Sequence, residues 1–375
     1  MKEIRMVDLV SQYEKIQEEV DAKIIEVVKS TAFINGPEVK SFEKELQDYL
    51  GARFVKACAN GTDALQVAMM ALGLKPGDEV ITSNFTYVAT AEAIAVLGLT
   101  PVLVDSYDDC FNINVDEIAK AITPKTKAIV PVHLFGQSCD MEEIMALANK
   151  HNLYVIEDNA QAIAAEYTFS DGRKAKTGTI GHIGTTSFFP SKNLGCMGDG
   201  GALFTNDEEI YKKINMVANH GQSKTYYHDM IGVNSRLDSI QAAILRIKLR
   251  HLDSYCAARE AAATYYDKGF ADVKGITTPF RKENSSHVFH QYVLKLDESI
   301  DRDGLRKHLT ENKIPSNIYY PVPLNKQKAY ALSMNDRDFP VTYKLCETVL
   351  ALPMHTEFEQ DQQDFIIETV KAFLK

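Results

Sequence analysis

Apolar residues in this chain change their spacing after about Leu50. Upstream, positions 7 to 30 carry apolar side chains at helical intervals. Gly36-Pro37 then opens a second helix through about Leu50, with proline in the first turn, where its missing N–H costs nothing. Downstream, short runs of nearly continuous apolar residues alternate with helical segments. FVKACA, EVITSN, PVLVD, AIVPVHL and YVIED read as strands, and 61 to 74, 86 to 97, 113 to 122 and 141 to 151 as the helices between them. Strands apolar on both faces, alternating with helices, predict a parallel sheet covered on both sides.

TTSFFP and GALFTN add two further strands, joined by a glycine-rich turn that holds Lys192. A long helical stretch from Leu237 to about Tyr266 is expected to bridge two domains. Beyond it lie one clear strand, HQYVLKL, and helices near 301 to 312, 341 to 350 and 359 to 374, which predict a smaller α+β domain. The expected division is a large α/β domain over 1–250, with its N-terminal helices, and a small C-terminal domain over 251–375. No internal repeat or low-complexity tract interrupts this pattern.

The 375 residues are long enough for two or three domains, and 45% apolar with 25% charged residues is ordinary globular material. A net charge of −10 argues against a nucleic-acid partner, because polyanion binders present a basic face. An anionic small ligand would need a local cluster of donors. The six cysteines form no C-x-x-C pair, so neither a disulfide framework nor a metal site is expected. The N-terminus has charges throughout and no stretch approaches a membrane span, which places the protein in the cytoplasm.

In an open parallel sheet, ligands collect beyond the carboxyl ends of the strands. CANGTDALQ ends a strand and begins a helix, so Gly61 and Thr62 can offer amides and a hydroxyl to a phosphate, with Ser187 as a further donor. Alone, the same residues describe an N-capped helix with no ligand. Asp158 closes the strand YVIED, where its carboxylate can pair with a protonated pyridine nitrogen or simply cap the next turn. Glu157 is the weaker candidate, since neighbours in a strand face opposite ways. Tyr87 of NFTYVAT is placed to lay an aromatic face on a ring, with Phe85 as the alternative and a plain core role open to both.

Lys192 differs in kind. The run SFFPSKNLGCMGDGGALFTND is too apolar and too rich in glycine for an ordinary solvated lysine. A shielded amine there, with an acid at a strand end, is the pair that pyridoxal phosphate chemistry requires: one group for the Schiff base, the other for the ring nitrogen. GCMGDGGAL lacks the G-x-G-x-x-G order of a dinucleotide loop. His287 and His290 lack a third ligand, so satisfied or solvent-facing imidazoles are expected.

These segments, together with GPEVKSFEKEL, GVNSRLDSIQAAIL, YYPVPLNKQ and LPMH, resemble the nucleotide-sugar aminotransferases of the DegT/DnrJ/EryC1/StrS group, within the aspartate aminotransferase fold (fold type I). The resemblance runs from about residue 5 to the C-terminus. It implies a large, mainly parallel seven-stranded sheet domain and a smaller α+β domain. It also implies that Lys192 bonds pyridoxal 5'-phosphate covalently, that Asp158 pairs the ring nitrogen and that Gln161 lies near the ring. Gly61, Thr62 and Ser187 would hold the phosphate, and Tyr87 would stack. A homodimer with shared sites is implied, with Asn234 reaching the partner's phosphate. Arg236, Tyr319 and Tyr320 would face the sugar from across the interface.

The wording of the lysine, GVNSRLD and PVPLNKQ segments is most similar to enzymes that aminate C3 of a UDP-linked 3-keto-N-acetylglucosaminuronate, a step of cell-surface polysaccharide synthesis with glutamate as donor. Arg236 would suit the sugar carboxylate. The chain departs from those relatives at Tyr319, where they tend to carry His, and at Asn159, where Ala is usual. A dTDP-linked 3-keto-6-deoxyhexose is the competing substrate. A sugar dehydratase, with His in place of the lysine, and a non-catalytic pyridoxal phosphate or sugar sensor are the other readings.

Overall fold

A computed structural model of the chain describes residues 2–330 and 338–374. The first apolar stripe folds as two helices. The Asp8 carboxylate caps α1 (Leu9–Glu14), the chain breaks at Lys15 and Ile16, and α2 (Gln17–Ser30) follows. Next, α3 (Pro37–Leu50) has Pro37 in its first turn and ends at Gly51, whose φ of 71° suits a residue without Cβ.

The alternation then runs β1 (Phe54–Cys58), α4 (Gly61–Ala71), β2 (Glu79–Ser83), α5 (Ala89–Val96), β3 (Thr100–Val104), α6 (Val115–Ala121), β4 (Thr126–Val130), α7 (Met141–His151) and β5 (Tyr154–Asp158). A small hairpin, β6 (Glu166–Thr168) and β7 (Lys174–Lys176), precedes β8 (Ile183–Ser187) and β9 (Gly201–Thr205). These strands, apart from the hairpin, form one seven-stranded sheet of order β1-β9-β8-β5-β4-β2-β3. β3, β2, β4, β5 and β8 run parallel, while β9 lies antiparallel to both β1 and β8. The reversal has a simple cause: residues 188–200 join β8 to β9 as a loop, and a parallel return would need a full crossover.

Period-two alternation explains how the sheet is covered. Val80, Val130 and Ile156 pack with Leu65 and Met69 of α4, whereas their neighbours Ile81, Ile129 and Val155 pack with Ile118 of α6 and Ile144 of α7 on the other face.

After β9 come α8 (Glu208–Ala218) and a hairpin of β10 (Gln222–Lys224) and β11 (Tyr227–His228). The helical stretch expected from Leu237 to about Tyr266 is two helices, α9 (Ser239–Leu249) and α10 (Leu252–Phe270), broken at Arg250 and His251. The rest of the chain contains β12 (Ile276–Thr277), β13 (Tyr292–Leu296), α11 (Arg302–Glu311), α12 (Pro340–Thr348), β14 (Val349–Leu352) and α13 (Gln360–Phe373). β12, β13 and β14 form a separate antiparallel sheet, with Tyr266, Phe270, Leu305, Leu309, Ile366 and Val370 in its apolar cluster.

The helix expected over 341 to 350 stops two residues early, because Val349–Leu352 pairs with β13. Both faces of β14 are used. Leu350 and Leu352 join the small sheet's cluster, while Val349 and Ala351 pack with Phe85, Phe111 and Phe135. A fully apolar VLAL carries no periodicity by which strand and helix differ.

Glu157 is fully buried on the side of β5 away from Asp158. It accepts hydrogen bonds from the amides of Gly178 (2.8 Å), Ile180 (2.7 Å) and Gly181 (2.6 Å), and it meets His133 Nε2 at 2.9 Å. It therefore fastens the turn that leads into β8. Glu157→Ala would strand one buried and two partly buried amides, and we expect a loss of about 3 kcal/mol, read as a lower urea midpoint at unchanged m-value.

Candidate active site

At the carboxyl ends of β1, β5 and β8 the loops surround a cavity of about 520 Å³. Its wall is built first by Asp158. One carboxylate oxygen accepts from the Thr90 hydroxyl at 2.7 Å, and the other from the Ala160 amide at 3.2 Å. The capping role allowed for this residue is thus present in part, and the carboxylate still lines the cavity.

Lys192 reaches the same cavity from the loop between β8 and β9. A turn bond from its amide to the Phe189 carbonyl (2.8 Å) fixes the backbone, and Asn193 donates to the Val288 carbonyl at 2.8 Å. The side chain is half-buried overall. Burial of the amine lowers its pKa to about 8, and the negative charge of Asp158 opposes that shift. Its Nζ lies 3.5 Å from His290 Nε2.

The phosphate end expected at the start of α4 also takes shape. Asn60 caps the Asp63 amide at 2.8 Å, which leaves the first-turn amides of Gly61 and Thr62 without an intrahelical acceptor. Gly61 is required by packing, because a Cβ there would lie 2.7 Å from Ser187 Cβ. That close approach sets Ser187 beside the helix start. Thr86, not anticipated from sequence, lines the same cavity with a buried hydroxyl that has no partner.

Of the two aromatic candidates, Tyr87 lines the cavity and is 59% exposed, whereas Phe85 is buried in the cluster with Phe111 and Phe135. Tyr87 also lies just before α5 rather than within it. Gln161 is held at both ends: its carbonyl accepts from the Phe135 amide at 2.8 Å, and its amide donates to the Tyr320 hydroxyl at 3.1 Å. Burial raises the Tyr320 pKa, so that hydroxyl stays protonated and its hydrogen is free to donate elsewhere.

Tyr319 and Tyr320 require a correction. They were expected to face a sugar from across an interface, yet both line the cavity of their own chain. Tyr320 belongs with Phe85 and Phe135 in one cluster, so burial draws the YYPVPL loop inward. Asn234 and Arg236 are not brought into this cavity. The Asn234 side chain is exposed, Arg236 is half-buried, and their loop is tied back to α8 by the Val233 and Ser235 amides. Asn159 turns away, donating to the Thr177 carbonyl at 3.0 Å.

His290 is a further residue that sequence reasoning missed. It is 6% exposed and lines the cavity rather than facing solvent. HVFHQY reads locally as the approach to a strand, and only the docking of the small sheet's loop on the large sheet reveals its position. His287 stacks on Phe289 instead, with ring centroids 3.9 Å apart.

The donor set can be tested against pyridoxal phosphate. Helix-start amides and two hydroxyls suit a phosphate, an anchored carboxylate suits a basic ring nitrogen, and an amine of lowered pKa suits an aldehyde. All open on one cavity, so the residues fit the group. Because the charged form of lysine is the protonated one, a pKa near 8 means that free amine is present from about pH 8 upward, while ordinary lysines at 10.5 remain charged. In cofactor-free protein, we expect amine-directed labelling of Lys192 to rise with a midpoint near pH 8. At that pH it should outpace exposed lysines by about a hundredfold, measured by peptide mass mapping.

The chain matches the DegT/DnrJ/EryC1/StrS aminotransferase family over residues 14–371. It is 45% identical over 94% of its length to the UDP-2-acetamido-2-deoxy-3-oxo-D-glucuronate aminotransferase of Pseudomonas aeruginosa, 95% of which is covered. It is 43% identical over 99% of its length to the UDP-N-acetyl-3-dehydro-alpha-D-glucosamine 3-aminotransferase of Acidithiobacillus ferrooxidans, covering 98% of that chain. Its fold is that of a DegT DnrJ EryC1 StrS aminotransferase from Brucella abortus, with a TM-score of 0.93, 40% identity and 99% of both chains covered.

Proposed function

We propose that this chain, which belongs to the DegT/DnrJ/EryC1/StrS aminotransferase family, transfers the amino group of glutamate to C3 of a UDP-linked 3-keto-2-acetamido sugar, with the glucuronate as first choice, in cell-surface polysaccharide synthesis. The chain is a pyridoxal-phosphate-dependent nucleotide-sugar aminotransferase. The meeting of Lys192 and Asp158 in one cavity carries the assignment of the site.

When bound, pyridoxal phosphate supplies an aldehyde that captures amines and a protonated ring that withdraws electrons from the neighbouring carbon. Asp158, anchored by Thr90 and the Ala160 amide, keeps negative charge at the ring nitrogen and so holds the proton there. Gly61, Thr62 and Ser187 bind the phosphate, with the positive end of the α4 dipole behind them. Tyr87 covers the ring face, and Gln161 is locked beside it by Phe135 and Tyr320. The Lys192 amine holds the cofactor. Once freed, Nζ would carry a proton from the donor's Cα to the cofactor carbon in the first half of the cycle, and from that carbon to the sugar carbon in the second.

Asn234 and Arg236 are assigned to the cavity of a second copy in a twofold dimer. The adjoining surface supports this arrangement, since Tyr226 and Ile231 are 87% and 86% exposed beside that loop. Among the described residues lining the cavity there is no arginine, so a sugar carboxylate would take a guanidinium from another segment, and Arg236 is the candidate. The same lining gives the second reading its support: without Arg236, the cavity favours a neutral 3-keto sugar such as that in the name of the A. ferrooxidans relative.

Lys192→Ala should abolish both turnover and the cofactor's visible absorption band. Turnover by that variant, or no release of 2-oxoglutarate from glutamate by the native protein in a single turnover, would sink the transaminase assignment. For the substrate, reverse reactions with 2-oxoglutarate and a panel of UDP-linked amino uronate, UDP-linked neutral amino sugar and dTDP-linked amino deoxyhexose should rank the uronate first. Arg236→Ala should lower kcat/KM for the uronate by roughly ten- to a hundredfold, the loss of one charge-assisted contact, and change the neutral sugars little. Equal losses across the panel would remove the carboxylate contact.

A further inference from the structure

We propose that His290 is a positioning residue for Lys192: its neutral imidazole accepts a hydrogen from the freed ε-amine and holds Nζ over the cavity while the amine carries no cofactor. The inference rests on the reading of Lys192 as the reacting amine.

The geometry begins with the contact itself, Nζ to Nε2 at 3.5 Å, inside the cavity. One tie joins the two loops, and two more fix the His290 loop in place. Asn193, next to the lysine, donates to the Val288 carbonyl at 2.8 Å. The Val288 amide donates to Gly136 at 2.9 Å, and Gly136 has φ 112° with room for no Cβ, which would come within 2.9 Å of the Phe289 nitrogen. From behind, the buried Arg259 guanidinium donates to the carbonyls of Phe289 (3.1 Å), His290 (3.3 Å) and Met354 (3.2 Å). The loop from the small sheet is thus clamped against the lysine loop.

The ring's own environment fixes its role. Nε2 meets two donors, the Lys192 amine and the Gln291 amide nitrogen at 3.4 Å, so Nε2 is the acceptor and the ring proton belongs on Nδ1. Nδ1 is buried without a hydrogen-bond partner among the described residues. Burial and the positive charges of Lys192 and Arg259 push the imidazole pKa well below its ordinary value, which keeps the ring uncharged. The charged and titratable groups facing the pair are Asp158 from β5, Arg259 from α10 and the protonated phenol of Tyr320; Asp158 acts on the amine, Arg259 on the imidazole. A neutral acceptor at this point orients the amine without adding a cation beside it. A freed lysine has four rotatable bonds, and the orientation limits the search that precedes each proton transfer.

The test uses His290→Leu, which removes the acceptor, and His290→Gln, which restores one near the position of Nε2. In the holoenzyme, the Leu variant should lose about tenfold in kcat with KM for both substrates within about twofold and full cofactor content, and the Gln variant should recover most of the loss. In cofactor-free protein, the labelling midpoint of Lys192 should fall below the native value in the Leu variant, because the ammonium loses an acceptor, and return toward it in the Gln variant. An unchanged midpoint, or equal kcat losses in both variants, overturns the proposal. If Lys192→Ala is inactive while His290→Leu is silent, only this inference fails. If Lys192→Ala turns over, the reading of the site fails with it.

Discussion

A lysine amine shielded from water, within reach of an anchored carboxylate, is the constraint on which this molecule's chemistry depends. Shielding draws the amine down and Asp158 resists without cancelling the shift, the two together leaving it at about 8. Were the cavity wetter, Lys192 would keep its proton toward the ordinary 10.5, and far less free amine would be present at pH 8. Were Asp158 absent, burial would act on the amine unopposed, and nothing would hold a proton on a ring nitrogen.

Two adjacent acids on β5 divide structural and chemical duties by strand geometry. Glu157 points into the protein and spends its lone pairs on three backbone amides and His133, while Asp158 points to the cavity and keeps part of its capacity open. The turn fastened by Glu157 delivers the chain to β8, whose last residue, Ser187, packs on Gly61. A buried acid with no contact to the cavity thus helps to set the spacing of the proposed phosphate end.

The small sheet also contributes to the cavity. Its loop brings His290 to Lys192, and Tyr319 and Tyr320 close the wall near Gln161. Arg259 links that loop to the carbonyl of Met354, so the segment entering β13 and the one leaving β14 are tied together behind the site. A change in how this sheet packs would therefore register at the lysine.

The sequence by itself was enough for the seven strands of the large sheet and for naming Lys192, Asp158 and the start of α4 as candidates that the fold brings to one cavity, because each rests on a local signal: apolar runs between helices, a strand-end acid, a lysine among apolar residues and glycines. It resolved Glu157 from Asp158 through period two alone. It did not separate α9 from α10, or the end of α12 from β14, since unbroken apolar or helix-favouring stretches carry no mark of where tertiary pairing interrupts them. Nor did it place Tyr319 and Tyr320 in the cavity of their own chain or give His290 a neighbour. Those depend on contacts between residues 98 or more positions apart, and only the packing of one sheet's loops against the other decides them.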